Sequence, residues 1–193
     1  RLVEPGVGER ENTRAEHKDA IAAAAAEFFP LSGASVLFDA GTTTSRIAAA
    51  LPSDREINVV TNSVPIAARL AGMPSVSLQL LGGRVRGLTQ AAVGEQVLRV
   101  LDTLRVDIAF IGTNGISVRH GLSTPDSEEA AVKRAMIASA NYVVVVADSS
   151  KVGREEFISF APLSSVDALI TDSELSGAYR EQFTEQGIEV VVA

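Results

Sequence analysis

A doubly wound α/β fold built on a mostly parallel sheet is predicted by three features of the 193-residue sequence. Short β-branched runs alternate with helical stretches from residue 35 onward. Several runs, such as the four valines at 143–146, are apolar throughout, as strands covered on both faces are. Five consecutive runs end in Gly, hydroxyl, amide or charged residues, which places that chemistry along one edge of the sheet.

The elements follow in order. Residues 1–12 are polar, contain Pro5, Gly6 and Gly8, and read as a linker. In the Ala-rich run 13–29, Ile21, Ala24, Ala25 and Phe28 are spaced by three and four, which predicts an amphipathic helix stopped by Pro30 and Gly33. Strands are predicted at 35–39, 57–61, 76–81, 106–111, 142–147, 166–171 and 189–192. Helices are predicted between them at 45–51, 65–70, 94–101, 127–140 and 176–186. Residues 13–193 therefore form one domain, within the usual size range.

Composition removes several function classes. Lys and Arg number 17 against 24 Asp and Glu, a net charge of −7, and the pI is near 4.9. Phosphate-backbone affinity needs clustered cations, so this balance argues against nucleic-acid binding by the chain alone. There is no Cys, which excludes disulfides, thiolate metal sites and cysteine nucleophiles and fits a reducing, cytoplasmic setting. His17 and His120 lie far apart in sequence, against a multi-histidine metal site or a Ser-His-Asp triad, and each reads as a surface or helix-face residue. No metal or other cofactor is expected. No apolar run reaches the ~18–20 residues that span a bilayer. The chain opens on Arg1, which fits a protein continuing upstream.

Ligands of open parallel sheets bind outside the carboxyl ends of the strands, and the loop at 39–44 is the most informative there. Gly41 permits a tight turn, Thr42, Thr43 and Thr44 follow it, and a helix is predicted from about Ser45. Backbone amides and the helix dipole then converge on an anion seat for a phosphate or a sugar hydroxyl; simple capping of the helix by a threonine is the alternative. Lys151, after the apolar fifth strand, neutralises a phosphate or is a solvated lysine. Gly82, Gly83, Gly112 and Gly115 alone read equally as strand-exit turns. Glu129 and Lys133 stand four apart on a predicted helix, the spacing of an exposed ion pair. Neither a dinucleotide fingerprint nor a P-loop is present.

The strings D-A-G-T-T-T (39–44), V-V-T-N-S (59–63), L-L-G-G (80–83), G-T-N-G-I (112–116), G-L-S-T-P-D (121–126), E-A-A-V-K-R (129–134), A-D-S-S-K-V-G (147–153) and I-T-D (170–172) resemble, in order, the sensor domain of DeoR-type bacterial transcriptional regulators. The resemblance implies a fold like the ribose 5-phosphate isomerases and a phosphorylated sugar or related catabolic intermediate as effector. It also implies operator DNA read through a winged helix-turn-helix outside this chain, a repressor that works as a homo-oligomer (dimer or tetramer), and no membrane partner. The ligand residues it implies are Asp39, Gly41, Thr42, Thr43, Thr44, Asn62, Gly82, Gly83, Asn114, Lys133 and Lys151. Among them Asn62, Asn114 and Lys133 would face the sugar.

A sugar-phosphate isomerase is the alternative, and moving a proton between carbons needs a carboxylate base within ~3 Å. In those isomerases an acidic loop follows the fourth strand, and a Glu base stands eighteen residues before the lysine of the A-D-x-S-K motif. Counting back from Lys151 lands on Lys133, and 112–115 reads Gly-Thr-Asn-Gly. With Glu129 one turn away as the remaining carboxylate, sensing is expected over catalysis, and no catalytic residue is assigned.

Overall fold

The computed structural model describes residues 4–12 and 14–193. Helices α1 (Val7–Asn12) and α2 (Ala15–Ala25) precede β1 (Ser35–Phe38), α3 (Thr42–Ala49), β2 (Ile57–Thr61), α4 (Val64–Leu70) and β3 (Val76–Leu80). A hairpin of β4 (Arg84–Arg86) and β5 (Ala91–Val93) leads into α5 (Glu95–Leu101) and β6 (Val106–Gly112). Strands β7 (Gly115–Ser117) and β8 (Gly121–Thr124) come next, then α6 (Ser127–Ala138) and β9 (Ala140–Val146). The chain closes with β10 (Ile158–Ala161), β11 (Ala168–Thr171), α7 (Gly177–Glu185) and β12 (Glu189–Val192).

Local chemistry sets the helix starts. The side chains of Ser63, Asp126 and Ser176 accept from the amides of Ile66, Glu129 and Tyr179, capping α4, α6 and α7. Each such cap contributes about 1 kcal/mol. Helix α3 begins three residues earlier than its composition predicts. Gly41 is its cap at φ 149°, a conformation that L side chains rarely adopt, so the threonines form the first helical turn.

Seven strands form one sheet in the order β12-β11-β9-β6-β1-β2-β3, and every pairing in it is parallel. Successive residues of the central strands point to opposite faces and divide the core in two. Val36, Phe38, Ile108, Phe110, Val144 and Val146 pack with Ile21 of α2, Ile47 of α3 and Ile66 of α4. Leu37, Ala109, Ile111, Val143 and Val145 pack on the other face with Val97 of α5, Met136 of α6 and Phe183 of α7. The predicted doubly wound class is the observed one. Strand order runs outward one way from β1 and the other way from β6, so the fold reverses between these two neighbours. The rings of Phe38 and Phe110, in register on these strands, stack 5.5 Å apart on the core face that α2, α3 and α4 cover.

Three expectations need correction. Residues 7–12 of the predicted linker are helical, and α1 packs against α3; residues 1–3 of that linker and the start of the helix predicted from 13 lie outside the described residues. That helix ends at Ala25, and one 3₁₀ turn covers Ala26–Phe28. The sequence also gave no warning of β4, β5, β7, β8 and β10, which build two small antiparallel sheets beyond the carboxyl edge of the large one.

Candidate functional site

The reversal of strand order opens a crevice where the crossovers from β1 and β6 diverge to opposite faces, the usual ligand position in such sheets. Here the crevice is a cavity of about 100 Å³. The chain after β1 supplies Ala40 to Thr44, the end of β6 supplies Gly112, Thr113 and Asn114, and the end of β9 supplies Val146, Ala147 and Asp148. Lys133 enters from α6, Lys18 from α2 and Lys151 from a 3₁₀ turn at Ser149–Lys151.

The first turn of α3 forms one wall. Its leading amides have no acceptor within the helix and carry the positive end of its dipole. The Thr44 hydroxyl is spent on the Gly41 carbonyl at 3.0 Å, and Thr42 and Thr44 are buried, which leaves Thr43 the most accessible of the three. The positive charges of Lys18, Lys133 and Lys151 surround this turn. Small anions and hydroxyl-bearing molecules are what such a cradle holds.

Asp39 lies beneath the cavity rather than in its wall and is 2% exposed. One oxygen accepts from Ala40 N at 2.9 Å, and the other accepts from Gly112 N at 3.0 Å and from the Lys133 ammonium. Lys133 also donates to Gly112 O at 2.9 Å. A single ion pair thus ties β1 to β6 across the crevice and holds the lysine against its rim. Asn114 is fixed by β8, its Oδ1 accepting from the Thr124 hydroxyl at 3.0 Å.

Of the residues expected at the ligand, Gly41, Thr42, Thr43, Thr44, Asn114, Lys133 and Lys151 line this cavity, with Asp39 directly behind. Asn62, Gly82 and Gly83 do not. Asn62 fastens β2 to β5, donating to Ala92 O at 2.9 Å and accepting from Ala92 N at 2.9 Å. Gly83 is there for close approach, since a Cβ would meet Val93 O at 2.6 Å, and Gly82 is an exposed turn residue beside it. These positions follow β2 and β3, on the far side of β1 from β6, so the strand order keeps them out of the crevice. Lys151 is half-buried in its turn and not on an exposed loop.

Glu129 and Lys133 are both buried, and their first partners lie elsewhere, against the exposed pair that the spacing suggests. The Glu129 carboxylate accepts from Arg86 and from Thr89 Oγ1, each at 2.7 Å, and lies outside the cavity wall. Burial pushes its carboxyl above the ordinary glutamate range, although Lys133, Thr89 and Arg86 pull it down. Lys18, Asp148, Pro5 and Glu9 are wall residues that the sequence reading missed. Lys18 carried a signal, for it continues the buried stripe Ile21, Ala22, Ala25 by one turn.

Among the described residues His17, Asp172 and Glu174 stand close enough to share an ion. Arg14, 3.3 Å from Asp172 and 2.8 Å from Glu174, already supplies positive charge there. His120 lies in the β7–β8 turn with Nε2 2.7 Å from Glu156 O. No helix of the described residues is long and apolar enough to cross a membrane.

Residues 13–173 match the family model of the DeoR C-terminal sensor domain. The chain is similar to the HTH-type transcriptional regulator GlpR of Haloferax volcanii, 40% identical over 95% of this chain and 71% of that protein. It is also similar to the glycerol-3-phosphate regulon repressor of Escherichia coli, 31% identical over 94% of this chain and 72% of the repressor. These relatives are named as regulators, not enzymes. Among solved structures, ribose 5-phosphate isomerase A of Methanocaldococcus jannaschii superposes with a TM-score of 0.52 at 18% identity, over 72% of this chain and 55% of that one. That likeness is one of fold alone.

Proposed function

Because the chain belongs to the DeoR C-terminal sensor-domain family, we propose that its ligand-sensing role is carried by the crevice between β1 and β6, and that the ligand is a phosphorylated sugar or a related catabolic intermediate. The observation that carries this reading is the first turn of α3 facing Lys18, Lys133 and Lys151 in one cavity. The phosphate would lie on the amides of residues 42–44 with Lys151 beside it, and Asn114 and Lys133 would face the carbon skeleton. A relative named for the glycerol-3-phosphate regulon supports an effector of this class.

The wider setting follows from the same premise. Residues 13–193 are the sensor, and the preceding residues join it to a winged helix-turn-helix outside this chain, through which a cytoplasmic repressor, dimeric or tetrameric, would reach operator DNA. An isomerase needs a carboxylate facing the reacting carbon; Glu129 is occupied by Arg86 and Thr89 outside the cavity wall.

Calorimetry with sugars and their phosphates tests the assignment. A dephosphorylated sugar should bind at least ~10-fold more weakly, since each charge-assisted hydrogen bond contributes ~1.5–3 kcal/mol. Lys151→Ala should weaken the phosphate by a similar factor while the chain stays folded. Equal affinity for a sugar and its phosphate would remove the phosphate from the assignment.

A further inference from the structure

Lys151 reaches the cavity from a single 3₁₀ turn, and every backbone amide from 149 to 152 is bonded. The Ser149 amide donates to the Asp172 carboxylate at 2.7 Å, and the Ser150 amide donates to the Asp148 carboxylate at 3.0 Å. Lys151 N donates to Asp148 O and Val152 N to Ser149 O, each at 3.1 Å. Two buried carboxylates thus fix the turn, Asp148 after β9 and Asp172 after β11. Like charges drawn onto one turn and out of solvent need a cation between them. Arg14 is that cation. Its Nε lies 2.8 Å from Asp148, and its Nη2 donates to the Ser149 hydroxyl at 3.0 Å and to Asp172 at 3.3 Å. The same nitrogen donates to Glu174 at 2.8 Å. His17 stands 3.7 Å from Asp172, beyond hydrogen-bond reach, so the guanidinium fork is what bridges the two aspartates. Arg14 lies outside the cavity wall, as the N-cap residue of α2. Its φ of 53° is a backbone state that a non-glycine residue keeps when its surroundings enforce it.

We propose that Arg14 is a positioning residue of the effector site: it touches no ligand, and it sets anion affinity by holding the turn that carries Lys151. This rests on the crevice being an anion seat. Without the guanidinium, Asp148 and Asp172 keep their charges on one turn with nothing to bridge them. The turn then relaxes by giving up the bonds from the Ser149 and Ser150 amides. Lys151 spends part of its time away from the first turn of α3, and an anion that brings it back binds more weakly. By linkage an anion held at Lys151 tightens the same turn. Through Arg14 that tightening draws the ends of β9 and β11 onto the head of α2. Effector binding is thus felt at the start of α2, outside the cavity.

The 193-residue chain, Arg14→Gln, Lys151→Ala and the double variant separate the outcomes, with inorganic phosphate and glycerol 3-phosphate as probes. In ligand-free Arg14→Gln, hydrogen exchange at the amides of 149–152 should be about 5–10-fold faster than in the parent, while the β1–β6 ladder exchanges as before. Equal exchange at 149–152 in the two proteins would overturn the proposal. Both probes should bind Arg14→Gln about 3–10-fold more weakly. That loss should shrink below ~2-fold when Lys151 is already Ala, because the two residues act through one turn. A loss of the same size in both backgrounds would mean that Arg14 acts by charge at a distance, and would overturn the proposal as well. If Arg14→Gln does not fold, Arg14→Lys takes its place, since a lysine keeps the charge beside both aspartates and lacks the fork. If neither probe binds the parent, the anion-seat reading fails on its own; faster exchange at 149–152 in the Arg14 variant then still supports its hold on the turn.

Discussion

Lys133 leaves α6 one turn after Glu129, yet only Lys133 reaches the cavity wall. Glu129 turns to Arg86 and Thr89 of the β4–β5 hairpin, and Lys133 crosses to Asp39 and Gly112 at the crevice. Both members of the Asp39–Lys133 pair are nearly out of solvent, so removing one leaves a buried charge uncompensated. Lys133→Met should destabilise the chain by about 3–5 kcal/mol in urea titration. Adding Asp39→Asn should recover part of that loss, because the orphaned carboxylate is then gone. Two single costs that simply add, within ~0.5 kcal/mol, would mean that the residues do not act as a pair. Motif resemblance marked both positions in advance; it could not say that one would hold the other in place. Asn62 and Gly83 show the opposite failure, for their residue types suit a ligand, and hydrogen bonding or close packing to β5 accounts for them.

At the scale of elements, the large sheet was legible because its strands are apolar, and the small sheets were not. Strands β4, β5, β7, β8 and β10 are three or four residues long and too short for a period to declare itself. One of them, β10, pairs with β8 across an intervening helix and strand. The junction of α1 and α2 was equally hidden, since its anchor is ionic and distant in sequence: Arg14 and His17 meet Asp172 just after β11. Burial pushes the Asp172 carboxyl up, but hydrogen bonds from Ser149 and the Glu174 amide, with His17 nearby, outweigh it and hold the group below the ordinary range. A depressed folded-state pKa adds stability above the unfolded value of ~3.9 and loses it as pH falls through the folded one. Acid should therefore loosen the junction below about pH 4, and Asp172→Asn should remove that part of the acid limb while lowering stability at pH 7. Parallel acid titrations of the two proteins, followed by circular dichroism, check this. Limbs of the same steepness would show that Asp172 is not the titrating anchor.

Across the whole molecule, strand order was the piece that the sequence withheld. Alternation announces parallel strands and crossovers, and the right-handed rule prunes them, but neither says which two strands stand side by side where the order turns. That placement decides why residues after β1, β6 and β9 share a cavity while those after β2 and β3 do not. Charge, by contrast, was legible from composition, and the structure sharpens its meaning. The chain carries −7, and many of its arginines are engaged with acids: Arg46 with Asp19, Arg84 with Glu128, Arg99 with Glu95, Arg119 with Glu155 and Arg154 with Glu156. The Arg119 pair, with Ser117, holds the exposed Glu155 carboxyl at a pKa of about 2, so that acid stays ionised through the physiological range. Counterion release from duplex DNA needs a row of cations that can face phosphates, each adding ~0.9 to the salt slope. Cations already neutralised one by one, on a surface with excess acid, release few. The 193-residue chain alone should thus show no sequence-specific shift of duplex DNA at physiological salt, and a slope near zero between 50 and 200 mM salt. Joining it to a helix-turn-helix segment of a relative should restore binding, and the effector should then modulate that binding. A steep negative slope with the chain alone would mean that its own surface reads the phosphate backbone, and the division of labour between this sensor and a separate DNA reader would have to be abandoned.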